Sequence, residues 1–455
     1  MLSRTRWLAL ALIATAGSAA AQPLDYVVVD PPRTRAAGGA TTIYLNPCPA
    51  GCTVTAGSDS ARADTSSILG RNATPATVTL APFAWDQATW DGMVACVRER
   101  YAPWDVTVVT AEPAGGRYLE VMVAGLPAAL GLPGNTLGVA PLTSDCSPLP
   151  SAIAFAFANA HQAEPAQIEN LCTTVIHEAG HLYGLDHEFA CRDPMTYLDG
   201  CGAKLFVNRS YPCGETDGER PCKCGATQNS FVALTEAIGP GAAPAPPAAH
   251  LISPPDGGAV NRQFSVFVQL DSARTVADVT LWINGRSWVR VPGKVTSSLY
   301  ELVTPAAVPD GALDLEVRIR DDLGNVGVLT RSVTKGAPCV DGQTCPADAT
   351  CVAGGCRFAA GTGALGGGCA VDDDCAGKLC AVADGIGTCS QPCYPAGATC
   401  PAGLTCRAGD DEGLACLPPV ETAGGCCSTG AGAGAPPLVA VLAVAGWLRR
   451  RRRRW

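Results

Sequence analysis

The chain has 455 residues, enough for two to four compact units with at least one sizeable core. Of its 32 Lys and Arg, eight lie at the extreme ends (Arg4, Arg6 and the arginines at 449–454), leaving 24 against 41 Asp and Glu; a body this acidic repels phosphate backbones and excludes nucleic acid as a partner. Gly (51), Pro (36) and Cys (24) are all abundant, which excludes an architecture of long helices and points to loop-rich, cross-linked structure.

At the N-terminus, Arg4 and Arg6 precede an apolar run from Trp7 to Ala14 and the small residues "AGSAAAQ". That is the charge, core and cleavage pattern of a secretory signal peptide over residues 1–21. Export means oxidising surroundings, so the cysteines read first as disulfides and only second as metal ligands.

Residues 22–240 read as one α/β domain. "NPCPAGC" at 46–52 is a tight loop with a local disulfide between Cys48 and Cys52. "TTIYLN", "WDVTVV", "YLEVMVAG", "TLGVAPL" and "AIAFAFAN" read as strands, and residues 86–101 as a helix with Trp90, Val94, Val97 and Tyr101 on one face. "TLGVAPL" is placed at the sheet edge, where unpaired backbone groups can hold an extended peptide by strand addition.

A further helix, at about residues 165–183, leads into "TTVIHEAGHLYGLDHEFACRDPMTYLDG", which holds three of the five histidines within eleven residues. His177 and His181 are one helical turn apart on the same face, so two imidazoles can reach one ion. A third ligand needs the helix to stop and the chain to swing back, and Gly184 suits the positive φ that ends helices. His187 then approaches from the other side. Three neutral imidazoles leave the fourth position of Zn2+ open for water, as in a catalytic site. Glu178 sits about 100° around the helix from His177, toward that open position, as a general base. The isolated HExxH pattern recurs by chance, but the extended H-E-x-x-H-x-x-G-x-x-H with a following methionine is far more specific.

"HEAGHLYGLDH" followed by "DPMTY" resembles the zinc motif and Met-turn of the metzincin endopeptidases, and the short gap from His187 to Met195 is most similar to the matrixin branch. The resemblance implies a peptidase acting on protein or peptide substrates, with one zinc on His177, His181 and His187, Glu178 as base and Met195 as an apolar floor. Tyr197 matches the position of a zinc-proximal tyrosine in some metzincins, either steadying the transition state or simply packing. The order strand, helix, four strands and motif helix is similar to the upper part of that fold. Two departures stand out. No cysteine-switch segment precedes the domain, and an insertion from Cys191 to Cys224 with "CKC" at its end reads as disulfides in preference to a second metal site. No acidic loop of the calcium-binding kind is found, so Ca2+ is not carried over. His161 and His250 read as solvated, and Asp186 and Glu188 as exposed charges or as hydrogen-bond partners of an imidazole.

Residues 241–250, rich in Pro and Ala, read as a linker. Residues 251–336 alternate short β-rich runs with turn signals, which suggests a small all-β Ig-like sandwich. Residues 337–420 hold three four-cysteine units, beginning at Cys339, Cys369 and Cys393, as a tandem disulfide-rich module with too few large apolar residues for a core. Residues 421–455 combine Cys426 and Cys427, a Gly/Ala/Pro spacer, a short apolar run and six arginines. The run is too short to span a bilayer as a helix, which takes about 20 residues. This segment resembles the myxobacterial C-terminal sorting signal, which implies membrane association and surface anchoring with Cys426 or Cys427 as the attachment point. The expected class is thus multidomain: an α/β metzincin-like catalytic domain, an Ig-like sandwich and a disulfide-rich module. The competing reading is a surface adhesin or scaffold whose C-terminal modules carry the function.

Overall fold

The computed structural model describes residues 24–31, 38–71, 74–271, 274–294, 297–340, 344–395, 400–410 and 413–420. In chain order its first part forms β1 (Leu24–Val29), β2 (Thr42–Asn46), β3 (Cys52–Ala56), β4 (Thr65–Ser66), β5 (Thr77–Leu80), α1 (Gln87–Tyr101), β6 (Thr107–Val109), β7 (Leu119–Val123), β8 (Gly138–Thr143), β9 (Ala152–Ala156) and α2 (Gln167–Leu182). Six of these strands make one sheet in the order β1-β8-β9-β7-β2-β6, with β8 antiparallel to β9 and every other pairing parallel.

Two-residue alternation sets the layers on either side of this sheet. Ile43, Leu45, Leu119, Val121, Val123, Ala152 and Ala154 face α1 and α2, where Trp90, Met93, Val94, Val97, Tyr101, Val175 and Ile176 close the core. Tyr44, Met122, Val139, Ile153 and Phe155 face the other way, onto Val54, Ile68, Val78 and Leu80 around a small sheet of β4, β3 and β5. Burying both faces explains why β7 and β9 read as continuous apolar runs. α1 begins where the Asp86 carboxylate accepts the Thr89 amide at 2.8 Å, and the Cys96–Cys172 disulfide fastens it to α2.

Beyond α2 the chain forms a hairpin of β10 (Cys213–Glu215) and β11 (Gly218–Arg220), then α3 (Ser230–Ile238). Next come β12 (Ala249–Ser253), β13 (Ala259–Val260), β14 (Ser265–Leu270), β15 (Val276–Ile283), β16 (Arg286–Pro292), β17 (Leu299–Val303), β18 (Gly311–Asp321) and β19 (Val326–Lys335). They make a three-stranded sheet, β12-β14-β17, and a five-stranded one, β13-β19-β18-β15-β16, with Val266, Val268, Leu281, Tyr300, Leu315 and Val317 between them. Three disulfide hairpins follow: β20 (Ala349–Val352) with β21 (Gly355–Phe358), β22 (Cys380–Ala383) with β23 (Ile386–Cys389), and β24 (Thr405–Ala408) with β25 (Leu414–Leu417). Each four-cysteine unit is paired first to third and second to fourth, for example Cys339–Cys351 and Cys345–Cys356. The repeat therefore extends to its cross-links.

The residues up to Pro418 belong to one unit. Tyr394 of the third cysteine unit donates to the Pro103 carbonyl, and Leu323, Cys393, Leu414 and Cys416 join the core that holds α1 and α2. The Asn208 amides donate to Asp322 at 3.0 and 3.1 Å. The second unit, Pro419–Trp455, is described only at Pro419 and Val420. The signal peptide, Cys426, Cys427 and the arginine tail lie outside the described residues. No described helix is long and apolar enough to cross a membrane.

The expected α/β class is corrected. Among the described residues the chain is mostly β, with twenty-five strands in eight sheets against three α-helices. The sequence reading missed β1, β3–β5 and β10–β11, whose two to six residues carry too little periodicity to be told from loop, and it left the cysteine units without strands. Their hairpins are held by disulfides in place of an apolar face. Two smaller corrections follow. "TLGVAPL" is not the sheet edge, since β1 pairs along all of β8. His250 stands in β12, not in a linker, exposed and 2.9 Å from Asp271.

Candidate metal centre

α2 carries the first two histidines and is fully buried from Leu171 to Leu182 apart from Thr173. It stops at Tyr183, and Gly184 takes φ +93°. A side chain there is barred twice, by the backbone conformation and by the Cys146 carbonyl, which a Cβ would meet at 2.1 Å. The reversal brings Leu185 O to 2.7 Å from His181 Nδ1 and turns His187 inward. The outcome is a tight cluster: Nε2 of His181 lies 3.0 Å from Nε2 of His177 and 3.1 Å from Nε2 of His187.

The other ring nitrogens fix what those three atoms are. Nδ1 of His177 faces the Pro194 carbonyl at 2.8 Å, Nδ1 of His181 the Leu185 carbonyl, and Nδ1 of His187 the Glu215 carboxylate at 3.2 Å. Carbonyl and carboxylate oxygens only accept, so each Nδ1 carries its ring's proton and each Nε2 turns a lone pair inward. Burial, then the neighbouring imidazoles, holds His177 and His181 well below the usual histidine range, so they stay neutral. Three lone pairs converging in a buried site repel one another unless a cation lies between them. The described histidines thus form a group able to hold a metal ion, and this donor set fits Zn2+.

Glu178 is fully buried, and its carboxylate lies against β8, where a Cβ on Gly138 would meet Oε1 at 2.2 Å. Met195 is fully buried, with its sulfur so close to Gly180 of the motif helix that a Cβ there would sit 2.4 Å from it. The "DPMTY" turn is pinned by Asp193, whose carboxylate accepts the Met195 and Val207 amides at 2.9 Å each. Tyr197 meets His187 edge-on, with ring centroids 4.6 Å apart.

Several groups at the site were not read from sequence. Glu215, at the end of β10 in the cysteine-rich insertion, is the imidazole partner of His187; hydrogen bonds from His187 and Arg220 pull its carboxyl down to about 2. Asp186 and Glu188 were read as exposed charges or imidazole partners. Both are fully buried, and their side-chain partners are Tyr26, Arg220, Gln228 and Ser230, not an imidazole. Asp186 forms a two-pronged pair with Arg220 at 2.7 and 2.8 Å; burial opposes its ionisation, but Arg220 and the Lys223 and His187 amides hold its carboxyl well below the usual range. Glu188 accepts Ser230 Oγ at 2.6 Å and Gln228 Nε2 at 3.1 Å. Tyr26 of β1 lays its ring 5.0 Å from His181 and 4.8 Å from His187. A signal existed only for Glu215 and Arg220, as charges between Cys213 and Cys222, a disulfide of sequence separation nine in the insertion. Cys224 pairs with Cys146, so "CKC" supplies no thiolate for a second metal. His161 is corrected as well: it is buried, 3.3 Å from Thr174 Oγ1, and desolvation lowers it to about 4. A cavity of about 600 Å³ borders Tyr183, Gly184, Gln228 and Val232, and the three histidines do not line it.

No family model matches this chain, and no curated protein matches it. Among solved structures, an LPMO from Kitasatospora papulosa is 8% identical over 18% of this chain and 51% of its own, with a TM-score of 0.17. Fibronectin(III)-like modules of Clostridium thermocellum CbhA are 16% identical over 19% of this chain and 94% of theirs, at 0.16. Archaemetzincin from Methanopyrus kandleri is 15% identical over 34% of this chain and 80% of its own, at 0.19. The chain spans about half the length of the Kitasatospora protein, and likenesses this loose carry no argument about fold or activity.

Proposed function

We propose that this protein is an exported, zinc-dependent endopeptidase of the metzincin kind that hydrolyses peptide bonds in extended protein substrates, held at the cell surface by its C-terminal tail. The observation that carries the reading is the convergence of three Nε2 lone pairs, each fixed by an acceptor on Nδ1, with the fully buried Glu178 on the residue next to His177 in the same helix. Eleven disulfides among the described residues fit an extracytoplasmic setting.

A zinc ion held by His177, His181 and His187 would polarise the scissile carbonyl and lower the pKa of the attacking water toward about 7. Glu178 takes the proton of that water on a carboxylate oxygen and later delivers it to the leaving amine. Met195 keeps the floor apolar and dry, which strengthens charge interactions above it. To Tyr197, whose ring lies against that of His187, this reading assigns donation to charge developing on the carbonyl oxygen.

Metal analysis with casein hydrolysis tests this. One zinc per chain is expected, lost in His181→Ala. Glu178→Ala should keep the zinc and lose about 10³-fold in rate, within the range a general base contributes. A chain that binds no zinc, or a Glu178→Ala chain that cleaves normally, overturns the reading.

A further inference from the structure

Away from the histidines, a cavity of about 490 Å³ lies where the sandwich meets the first cysteine unit. Its floor is the outer face of the five-stranded sheet. Trp282 of β15, Glu316 of β18 and Thr330 of β19 stand in register across that face, with Asp314 opposite Ser332 two residues along. Leu281, Ile283 and Val317 turn the other way, into the sandwich core, of which Trp282 is no part. The solvent face of an antiparallel sheet is ordinarily polar. Here it carries a tryptophan that is 2% exposed, whose indole N–H has no partner among the described residues. A buried indole N–H is normally paired, so this one is a donor without a protein acceptor.

The wall of the cavity is Arg357 of β21, and it is held firmly. The Phe358 amide donates to the Asn284 carbonyl and the Ala312 amide to the Gly354 carbonyl, both at 3.0 Å, and the Arg286 guanidinium lies 4.1 Å over the Phe358 ring. So anchored, Arg357 directs Nη1 to Asn284 Oδ1 at 2.9 Å and pairs with Asp314. The charges cancel within the protein. Three carboxylates and two guanidiniums line the cavity, and Lys378, 5.0 Å over the Trp282 ring, balances the count by donating to Glu316 Oε2 at 2.8 Å. Such a cavity selects no fixed charge, which disfavours a phosphate or a charged chain end. Its polar groups alternate between donors and acceptors: the indole N–H, guanidinium N–H groups, carboxylate oxygens, and the hydroxyls of Thr330 and Ser332, which can do both. Hydroxyl groups on a ring, each donating and accepting, are the matching ligand chemistry.

We propose that this cavity is a binding site for a neutral saccharide, one or two rings of a glycan, with the Trp282 N–H and Arg357 donating to it and Asp314, Thr330 and Ser332 completing its hydrogen bonds. The volume lies within the range of about 300–1,000 Å³ usual for small-molecule sites. The sandwich and the first cysteine unit together then tether the chain to a glycan-bearing surface. The site does not rest on the peptidase reading.

Isothermal titration of the full chain with neutral disaccharides of glucose, mannose, galactose and N-acetylglucosamine tests this, with digalacturonate and inorganic phosphate as charged counterparts. At least one neutral disaccharide should bind at one per chain, and the charged ligands at least tenfold more weakly. Trp282→Phe keeps the aromatic bulk and removes the N–H; affinity should fall about tenfold or more, within the cost of leaving a polar partner unpaired. Should that variant fail to fold, Thr330→Val with Ser332→Ala, both at exposed positions, gives the same readout through two lost hydroxyls. The proposal is overturned if no neutral disaccharide binds, if the charged ligands bind equally well, or if the folded variants bind like the parent chain.

Discussion

Nδ1 of His187 donates to Oε1 of Glu215 at 3.2 Å, and the same oxygen accepts Nη2 of Arg220 at 2.7 Å. The third histidine is thereby oriented from outside its own loop, by a carboxylate on a disulfide-closed hairpin. Partners of this kind typically govern metal affinity by 10–100-fold. Glu215→Ala should weaken zinc retention by about that factor in competition with a chelator, and Glu215→Gln, which keeps an acceptor, should recover most of it. Equal retention in both variants and the parent would show that His187 needs no such partner.

Gly180→Ala is expected to destabilise, against the usual trend. In a helix interior alanine is favoured over glycine by about 1 kcal/mol. Here the new Cβ would sit 2.4 Å from the sulfur of Met195, which is fully buried. Overpacking of that kind costs about 1–3 kcal/mol, so the net change should be a loss, read as a lower midpoint in denaturant. Combined with Met195→Ala, the loss should fall short of the sum of the single variants, since the smaller side chain vacates the contested space.

The histidine site was legible because its ligands are close in sequence and their spacing matches helix geometry, with Gly184 marking the reversal. The central strands were legible where an apolar run was long enough to bury both faces, as in β7 and β9. Tyr26 and Glu215 were not. Each reaches the site from far along the chain, Tyr26 lying 160 residues from its partner Asp186, and neither sits in a pattern that local periodicity reports. His161 misled for the opposite reason. A histidine ahead of a helix looks solvated until the helix folds over it.

The Cys96–Cys172 bridge holds the motif helix against α1 and closes a separation of 76 residues. Restricting an unfolded loop of that length stabilises by about 4 kcal/mol, against about 2 kcal/mol for the four-residue separation of Cys48–Cys52. Cys96→Ala with Cys172→Ala should therefore cost more, by equilibrium denaturation, than Cys48→Ala with Cys52→Ala. The reverse order would mean that the loop around Cys48 depends on its bridge for native geometry.

Glu120 gives the protein a pH dependence of definite sign. Its carboxylate is buried on the β3–β5 side of the sheet, accepting Asn46 Nδ2 at 2.7 Å, and burial raises its pKa to about 7 from an ordinary value of 4.5. Between those two values the folded state keeps a proton that the unfolded chain has released. Stability from this group is therefore complete below about pH 4.5 and lost as pH rises through about 7, by about 3 kcal/mol. His161, lowered to about 4 by burial, acts in the other direction: the unfolded chain takes up a proton first, so its contribution is lost as pH falls from 6.5 toward 4. Glu120→Gln keeps an oxygen for Asn46 and has no charge to bury. It should raise the melting temperature at pH 8 and change it little at pH 4.5, and a shift of the same size at both values would mean that Glu120 is ionised in the fold at acid pH.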